Sequence, residues 1–347
     1  ALVLILGVAE LLVASLNSSA LQIRMERQTA ESLLRAREAV IGDAVAQAPL
    51  TSAAYLRLPD LGFKIGNLPA EGSAAPNFSG NSKDYPVIGK LPWRTLGLEP
   101  LRDGRNECLW YAVSGRFKTT PATDALNWDT EGQIDLMDGS GNLIAANLAA
   151  VIIAPGTALD GQSRILSDPA YAQCGGNYDA RNYLDPYNSS DAISGALNYF
   201  PGSTNNRVAS ASGNKLLLAA DAAHYNDRFL AIAPDDIFRN LIRRADFSAQ
   251  VSMLLGDAYF GSVAISGGKG MDSVNCNLLG SGNREFCKNW KEMLLLTRLP
   301  APAPVTIDGA PSTNCTRVLL FGGRKNAAQL RHSAADKANP ANYLEGA

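Results

Sequence analysis

The sequence predicts an α+β chain. A long N-terminal helix, apolar and then amphipathic, is expected to pack on an antiparallel sheet, with a second helix-plus-sheet lobe after it. Three observations carry this. An apolar run passes without a break into a helical stripe, short strands alternate with tight turns from about residue 87, and one strand recurs later with its downstream signals. The 347 residues suit about two domains. With 46% hydrophobic and 18% charged residues, the chain has enough apolar side chains to bury real cores.

Residues 1–16 read ALVLILGVAELLVASL, and Glu10 is the one charge among the first 23 residues. As a helix this stretch would be about 34 Å long, enough to cross a bilayer's hydrocarbon. A cleaved leader is the usual reading of such a start. Here no basic segment precedes the run and the helical pattern continues, which predicts one retained helix. Ala30, Leu33, Leu34, Val40, Ile41, Ala44 and Val45 continue it as a stripe with charges on the other faces. A lone carboxylate in an apolar helix is costly unless paired, so Glu10 is a candidate site residue; a polar spot in a helix bundle is the plainer alternative.

Residues 49–86, rich in Gly, Pro, Ser and Asn, read as a linker. Strands are then expected at Leu109–Val113, Gly132–Met137, Leu143–Ala145 and Ala149–Ala154, with the turn Asp138–Asn142 closing a hairpin. Acidic residues after Pro234 open a second helix, whose apolar stripe runs from Ile237 towards Leu255. More strands are expected after Gly256, ending at Arg317–Phe321. Val151–Gly156 with Gln162 and Arg164 matches Val318–Gly323 with Gln329 and Arg331, 167 residues on; Asn182–Asp185 matches Asn342–Glu345, 160 residues on. The boundaries that follow are 1–48 for the helix, 49–86 for the linker, and 87–220 and 221–347 for the two lobes.

Cys276 and Cys287 bracket a short Asn/Gly-rich loop of the kind a disulfide closes, and Cys108 and Cys174 can pair within the first half, leaving Cys315 odd. Five reduced thiols are the alternative; an exported N-terminus favours the bridges.

Several function classes lose their footing. A net charge of −2 offers no basic face for nucleic acid. Two histidines, His224 and His332, argue against a multi-histidine metal site. No G-x-S-x-G is present, and Ser266–Gly270 lacks two positions of a phosphate loop. The Asp138–Asn142 loop has oxygen groups suited to Ca²⁺, but a plain turn is the simpler reading. Asp185 and Glu345 read as turn or cap residues, and Asp235 and Asp236 as helix caps. No catalytic, cofactor or metal residues are expected.

An apolar N-terminal helix that turns amphipathic and feeds a strand-rich body resembles type IV pilins and the pseudopilins of type II secretion. Within Leu91–Val113, Asp103, Asn106 and Tyr111 match the Asp, Asn and Tyr of the pseudopilin motif Asp-x-Trp-Gly-Asn-Pro-x-x-Tyr, while its Trp, Gly and Pro are absent. The helix end AESLLRAREAVIGDA and Asn226–Ile232 are similar to a group of large bacterial pilin-like proteins. One departure is Ile5, where pilins usually carry Glu; Glu10 lies five residues later.

The resemblance implies a non-enzymatic subunit of an extracellular filament, held in the inner membrane before assembly. Its partners would be copies of itself and the assembly machinery, with contacts through Glu10, Leu4, Leu6, Leu11, Leu12 and Leu16. A minor or tip-located, adhesin-like subunit is the alternative, and an anchored exported hydrolase the third reading.

Overall fold

The computed structural model describes residues 2–65, 68–78, 86–120, 122, 125–138, 142–166, 173–185, 214–218, 226–265, 268–270, 275–307 and 310–344. For 2–18, 68–69, 137–138, 214–218, 268–270, 300, 307 and 310–314 it describes the backbone alone. The chain is mixed α+β, with antiparallel sheets and an N-terminal helix, and it divides into two compact units. Unit 1 holds residues 1–44, 55–123 and 131–236; unit 2 holds 45–54, 124–130 and 237–347.

That division corrects the expected boundaries at 220/221 and 86/87. Unit 2 draws in two short segments from the first half because their polar groups bond there. Asn127 Nδ2 donates to Asn289 O and Glu292 Oε2 (both 3.0 Å), Asn289 Nδ2 donates to Thr51 O (3.3 Å), and Arg244 donates to Val45 O and Gln47 O. The expected linker is also corrected. Tyr55, Leu56, Leu58 and Ala70 are buried, Leu56 N–H donates to Phe117 O (2.6 Å), and Asp60 and Lys90 exchange backbone bonds at 2.9 and 3.0 Å. Its apolar residues are too sparse to make a period, yet they are the ones the fold buries.

Helix α1 (Leu2–Ala46) follows the predicted stripe in part: Leu33, Val40, Ile41 and Ala44 are buried, together with Ala36, which the stripe did not include, while Ala30 and Leu34 are exposed. In unit 1, β1 (Lys64–Ile65) pairs with β2 (Leu68–Pro69). The main sheet runs β3 (Val87–Lys90), β4 (Trp110–Val113), β7 (Ala150–Ala154), β9 (Arg228–Ile232), antiparallel throughout. All residues of its first three strands are buried, which is why they read as apolar runs rather than alternating. The second sheet orders β6 (Leu143–Leu148), β5 (Ile134–Asp138), β8 (Asn214–Leu218); β8 lies parallel to β5, unlike the antiparallel pairing expected. Alternate residues Ile88, Trp110, Ala112, Val151 and Ile153 share one core with Ile134, Leu136 and Leu148 of this sheet.

The single helix expected over 234–255 is two, α2 (Pro234–Leu241) and α3 (Ala245–Leu255). Arg244 breaks them: its backbone is extended and its side chain bonds Asp246 in the first turn of α3. After Gly256 the short helices α4 (Tyr259–Ser262) and α5 (Arg284–Trp290) come in among the expected strands, the last of which ends at Phe321 as expected. The sheet of unit 2 orders β10 (Gly268–Gly270), β11 (Leu294–Ile307), β12 (Ala310–Phe321), and α6 (Ala334–Ala338) follows. Pro300, Pro302 and Pro304 cannot donate to a ladder, and the β11–β12 register shifts in that stretch. Phe247 gathers the core of this unit, edge-on to Trp290 (4.8 Å), Phe286 (5.5 Å) and Phe321 (6.1 Å).

Candidate functional site

The seam between α1 and the loop before β4 is where the motif-like residues meet the helix. Three polar side chains of α1 reach the loop backbone: Gln28 Nε2 donates to Asp103 O (3.0 Å), Ser32 Oγ to Arg102 O (2.7 Å), and Thr29 Oγ accepts from Gly104 N–H (2.9 Å). Asp103 is buried and organises the turn. Its Oδ1 accepts from Arg105 and Glu107 N–H (2.8 and 3.0 Å), and its Oδ2 from Gly156 N–H (2.9 Å). Asn106 holds a left-handed backbone (φ 69°), which Asn tolerates better than most residues. Tyr111 is wholly buried, and burial pushes its phenol well above the ordinary value, with the Asp43 charge adding to the shift. So the three motif positions have physical duties here: turn acceptor, left-handed corner and core.

Gly104 is required at this seam. A Cβ there would lie 2.2 Å from Met25 O, a backbone atom that cannot step aside. Gly104→Ala is expected to lower stability by about 1–3 kcal/mol. The check is a denaturant midpoint against Gly97→Ala, where the glycine has open space around it but a positive φ of 69°, so that strain without a clash is the comparison.

Beside the seam lies a cleft of about 240 Å³, bounded by Gln22, Met25 and Glu26 on α1, Arg105, Thr157 and Arg228. Glu26 and Arg228 face each other across 3.8 Å, with both side chains half-exposed. The pair is weak at that exposure.

The Gln-x-Arg and Asn-Tyr-Leu elements come together in each unit as a polar clasp. In unit 1, Arg164 Nε donates to Asn182 O (2.8 Å), Nη1 donates to Gly156 O (2.7 Å) and meets Glu107 Oε1 (3.2 Å), and the guanidinium lies over the Tyr183 ring (4.7 Å). Gln162 Nε2 bonds Leu184 O and Asp185 Oδ1, and Asn182 Oδ1 accepts from Ser163 N–H (2.9 Å). In unit 2, Arg331 Nε donates to Asn342 O (2.9 Å), Nη1 donates to Gly323 O (2.8 Å) and Asp129 Oδ2 (3.0 Å), and the guanidinium lies over Tyr343 (4.4 Å). Gln329 Nε2 bonds Leu344 O (3.3 Å), and Asn342 Oδ1 accepts from Leu330 N–H (3.1 Å). In each case the tyrosine follows a 3₁₀ turn, Ala180–Asn182 or Pro340–Asn342.

A third cluster was not singled out from the sequence. Lys90, buried in β3, donates to Gly175 O (2.7 Å) and sits over the rings of Tyr178 (4.5 Å) and Tyr183 (5.7 Å). Asp60 Oδ2 accepts from Gly72 N–H (2.7 Å) and Tyr178 OH (3.0 Å), and Oδ1 from Gly62 N–H (2.9 Å). Burial lifts the Asp60 carboxyl to about 6 against these donors, and pulls the Lys90 ammonium down to about 8 against the charges of Asp60 and Glu71. The signal available in the sequence was a lone charge inside the apolar run VIGKLPW.

Of the residues expected at the site, Leu4, Leu6, Glu10, Leu11, Leu12 and Leu16 lie on α1, and their side chains are outside the described residues. Cys108 is bridged to Cys174 and Cys276 to Cys287, with Cα–Cα distances of 5.5 and 5.7 Å; Cys315 is outside both bridges. Asp185, expected as a turn or cap residue, lies in a turn and is buried; Asp236 acts near a helix start, accepting from Ala233 N–H (2.8 Å) and pairing with Arg37 (2.7 Å). Gly139, Ser140 and Gly141 of the expected Asp138–Asn142 turn, together with His224 and Glu345, lie outside the described residues. Among the described residues no group of three or more His, Cys, Asp or Glu side chains is placed to hold a metal ion. Among them, too, no helix is long and apolar enough to cross a membrane.

No protein-family model, no curated protein and no solved structure matches the chain.

Proposed function

We propose that the chain is a non-enzymatic structural subunit of an extracellular, type IV pilus-like filament, assembled through its N-terminal helix. The observation that carries this is how α1 divides. Among its described side chains the first buried one is Leu33, whereas none of residues 19–32 is buried and Leu21 and Ile23 are 52% and 69% exposed. The sequence before them is more apolar still, with Glu10 as its one charge. An apolar helix needs cover, and Leu21 and Ile23, before the seam, receive little of it from the chain's own body; other copies of the helix, or a membrane before assembly, would supply it. The bonds from Arg37 to Ala231 O and Asp236 support a helix lying along the main sheet.

In this reading the body is built twice. Support comes from the matched bonds of the two clasps, and from the order β3-β4-β7 in one unit against β10-β11-β12 in the other, both antiparallel. β9, beyond β7, has no counterpart beyond β12 among the described residues. A tip-located, ligand-binding subunit is the second reading, favoured by the cleft walled by Arg105 and Arg228.

Electron microscopy of sheared extracellular material separates the two: long polymers of this chain support the first, and single copies capping other fibres support the second. Glu10→Ala is expected to cut the assembled fraction about tenfold or more, the effect of ~1.4 kcal/mol lost per subunit contact. Glu26→Ala, outside the apolar run, is expected to change it little. Wild-type filament yield from the Glu10 variant would show that assembly proceeds by packing alone.

A further inference from the structure

The apolar part of α1 gives way to charge at the level of the cleft in unit 1. After Glu10 the next charge in the sequence is Arg24, followed by Glu26 and Arg27. Charged side chains are costly in hydrocarbon, so a helix embedded through its apolar segment meets the headgroup layer at about Ile23–Arg24. The cleft lies at this level. Gln22, Met25, Glu26 and Thr29, spaced as one helix face, form one wall, and Arg105 and Arg228 of the body stand across from it. From Gln22 to Thr29 the helix rises about 10 Å. A headgroup layer is ~5–8 Å deep on each side of the hydrocarbon.

The charges of the cleft are unequally engaged. Arg105 is exposed, and its guanidinium has no partner among the described residues. Arg228 meets Glu26 at 3.8 Å, a weak pair with both side chains half-exposed. Asp103, the other acid bordering the cleft, has its oxygens filled by the N–H groups of Arg105, Glu107 and Gly156. One free and one loosely held guanidinium therefore face the end of the apolar segment. Arg24, exposed and likewise without a partner among the described residues, stands at the same level of the helix.

We propose that Arg105 and Arg228 bind the phosphate of an anionic lipid headgroup in this cleft while the chain is held in a bilayer. The inference rests on the membrane-held state of the reading above. Guanidinium forks match phosphate oxygens in pairs, which a point charge does not. At about 240 Å³ the cleft is smaller than the ~300–1,000 Å³ of drug-sized pockets and suits a headgroup rather than a larger ligand. Position fixes the source. Free phosphate reaches any exposed arginine, whereas this cleft opens where the helix leaves the hydrocarbon. Arg35 is exposed and without a partner among the described residues too, but it lies about 16 Å further along α1, beyond the headgroup layer.

The full chain in a non-ionic detergent, titrated with short-chain phosphatidylglycerol and read by native mass spectrometry for retained lipid, tests this. The wild type is expected to hold one lipid per chain. Arg105→Gln and Arg228→Gln should each hold it about fivefold more weakly, and the double variant about thirtyfold. Arg35→Gln, the same loss of charge outside the cleft, should bind as the wild type does. The lipid should also slow amide exchange over Gly104–Glu107 in the wild type and not in the double variant. Unchanged retention in the double variant, or equal weakening by Arg35→Gln, would overturn the proposal. Displacement of the lipid by inorganic phosphate at equal concentration would make this a free-phosphate site and overturn the lipid assignment. The assembly reading fails separately: a chain that holds the lipid through these arginines yet forms no filaments keeps the site. A chain that stays monodisperse without detergent removes the membrane-held state and the site with it.

Discussion

Replacing Cys108 and Cys174 together by Ser is expected to cost unit 1 about 4 kcal/mol. The bridge spans 66 residues, against 11 for Cys276–Cys287, and the entropy a cross-link removes from the unfolded chain grows with the loop it closes. The same relation gives about 3 kcal/mol for the shorter bridge. The longer one also anchors a segment whose other ties are polar. Residues 173–175 are held by polar contacts: Glu71 accepts from Gln173 and Cys174 N–H (3.1 and 2.6 Å), Arg102 donates to Gln173 O, and Lys90 to Gly175 O. Lys90 itself depends on that carbonyl, so releasing the bridge also strips a partner from a buried ammonium. At roughly 2–4 °C per kcal/mol for a unit of this size, the double variant should melt about 8–16 °C below the wild type. Scanning calorimetry without reductant measures it, with Cys276→Ser/Cys287→Ser as the comparison. An equal or larger loss from the shorter bridge would mean that local packing, not loop closure, sets the value of these disulfides.

Much of this architecture was legible because it follows periodicity. The stripe through Leu33, Val40, Ile41 and Ala44 names the buried face of α1, and the strands at Trp110–Val113 and Ala150–Ala154 stand out as continuous apolar runs. Where the signal is not periodic, the reading fails for identifiable reasons. Tyr55, Leu56 and Leu58 sit among Gly, Pro and Ser and bury themselves singly, so the segment resembles a linker until the backbone bonds to Phe117 and Lys90 are seen. The apolar stripe across Ile242–Arg244 continues through the break between α2 and α3, because Arg244 caps the second helix with its backbone and its side chain leaves no mark in the pattern. Buried charge is the least legible of all. Lys90, Asp60 and Asp227 owe their burial to partners far off in sequence, such as Tyr178 and Asp185, and a lone charge read by itself defaults to the surface. The matched Gln-x-Arg and Asn-Tyr-Leu elements could be paired by letter, but their bonds, argininium over tyrosine and glutamine to a main-chain carbonyl, are tertiary facts.

Arg331→Ala is expected to destabilise unit 2 by about 3–5 kcal/mol, because it removes one member of a buried ion pair and leaves the other behind. The side chains of Arg331 and Asp129 are 2% and 7% exposed, and Asp129 Oδ2 takes its bond from Arg331 Nη1 at 3.0 Å. Besides the pair, the variant orphans Asn342 O and Gly323 O and leaves the Tyr343 ring without the guanidinium over it. Lysine does not repair this: one ammonium cannot reach two carbonyls and a carboxylate in the planar fork that Arg331 presents, so Arg331→Lys should recover less than half of the loss. The double change Arg331→Met/Asp129→Asn separates charge from shape. It removes both charges together while keeping most of the volume, and is expected to be more stable than Arg331→Ala alone by about 1–3 kcal/mol. Arg164→Ala in unit 1 is the internal standard. Its partner Glu107 is 28% exposed and can turn to water, so the cost there should be smaller although the carbonyl bonds are the same in kind. Urea midpoints for the four variants measure all of this. Equal losses at Arg164 and Arg331 would show that the carbonyl bonds and the tyrosine ring, rather than the desolvated carboxylate, carry the energy of the clasp.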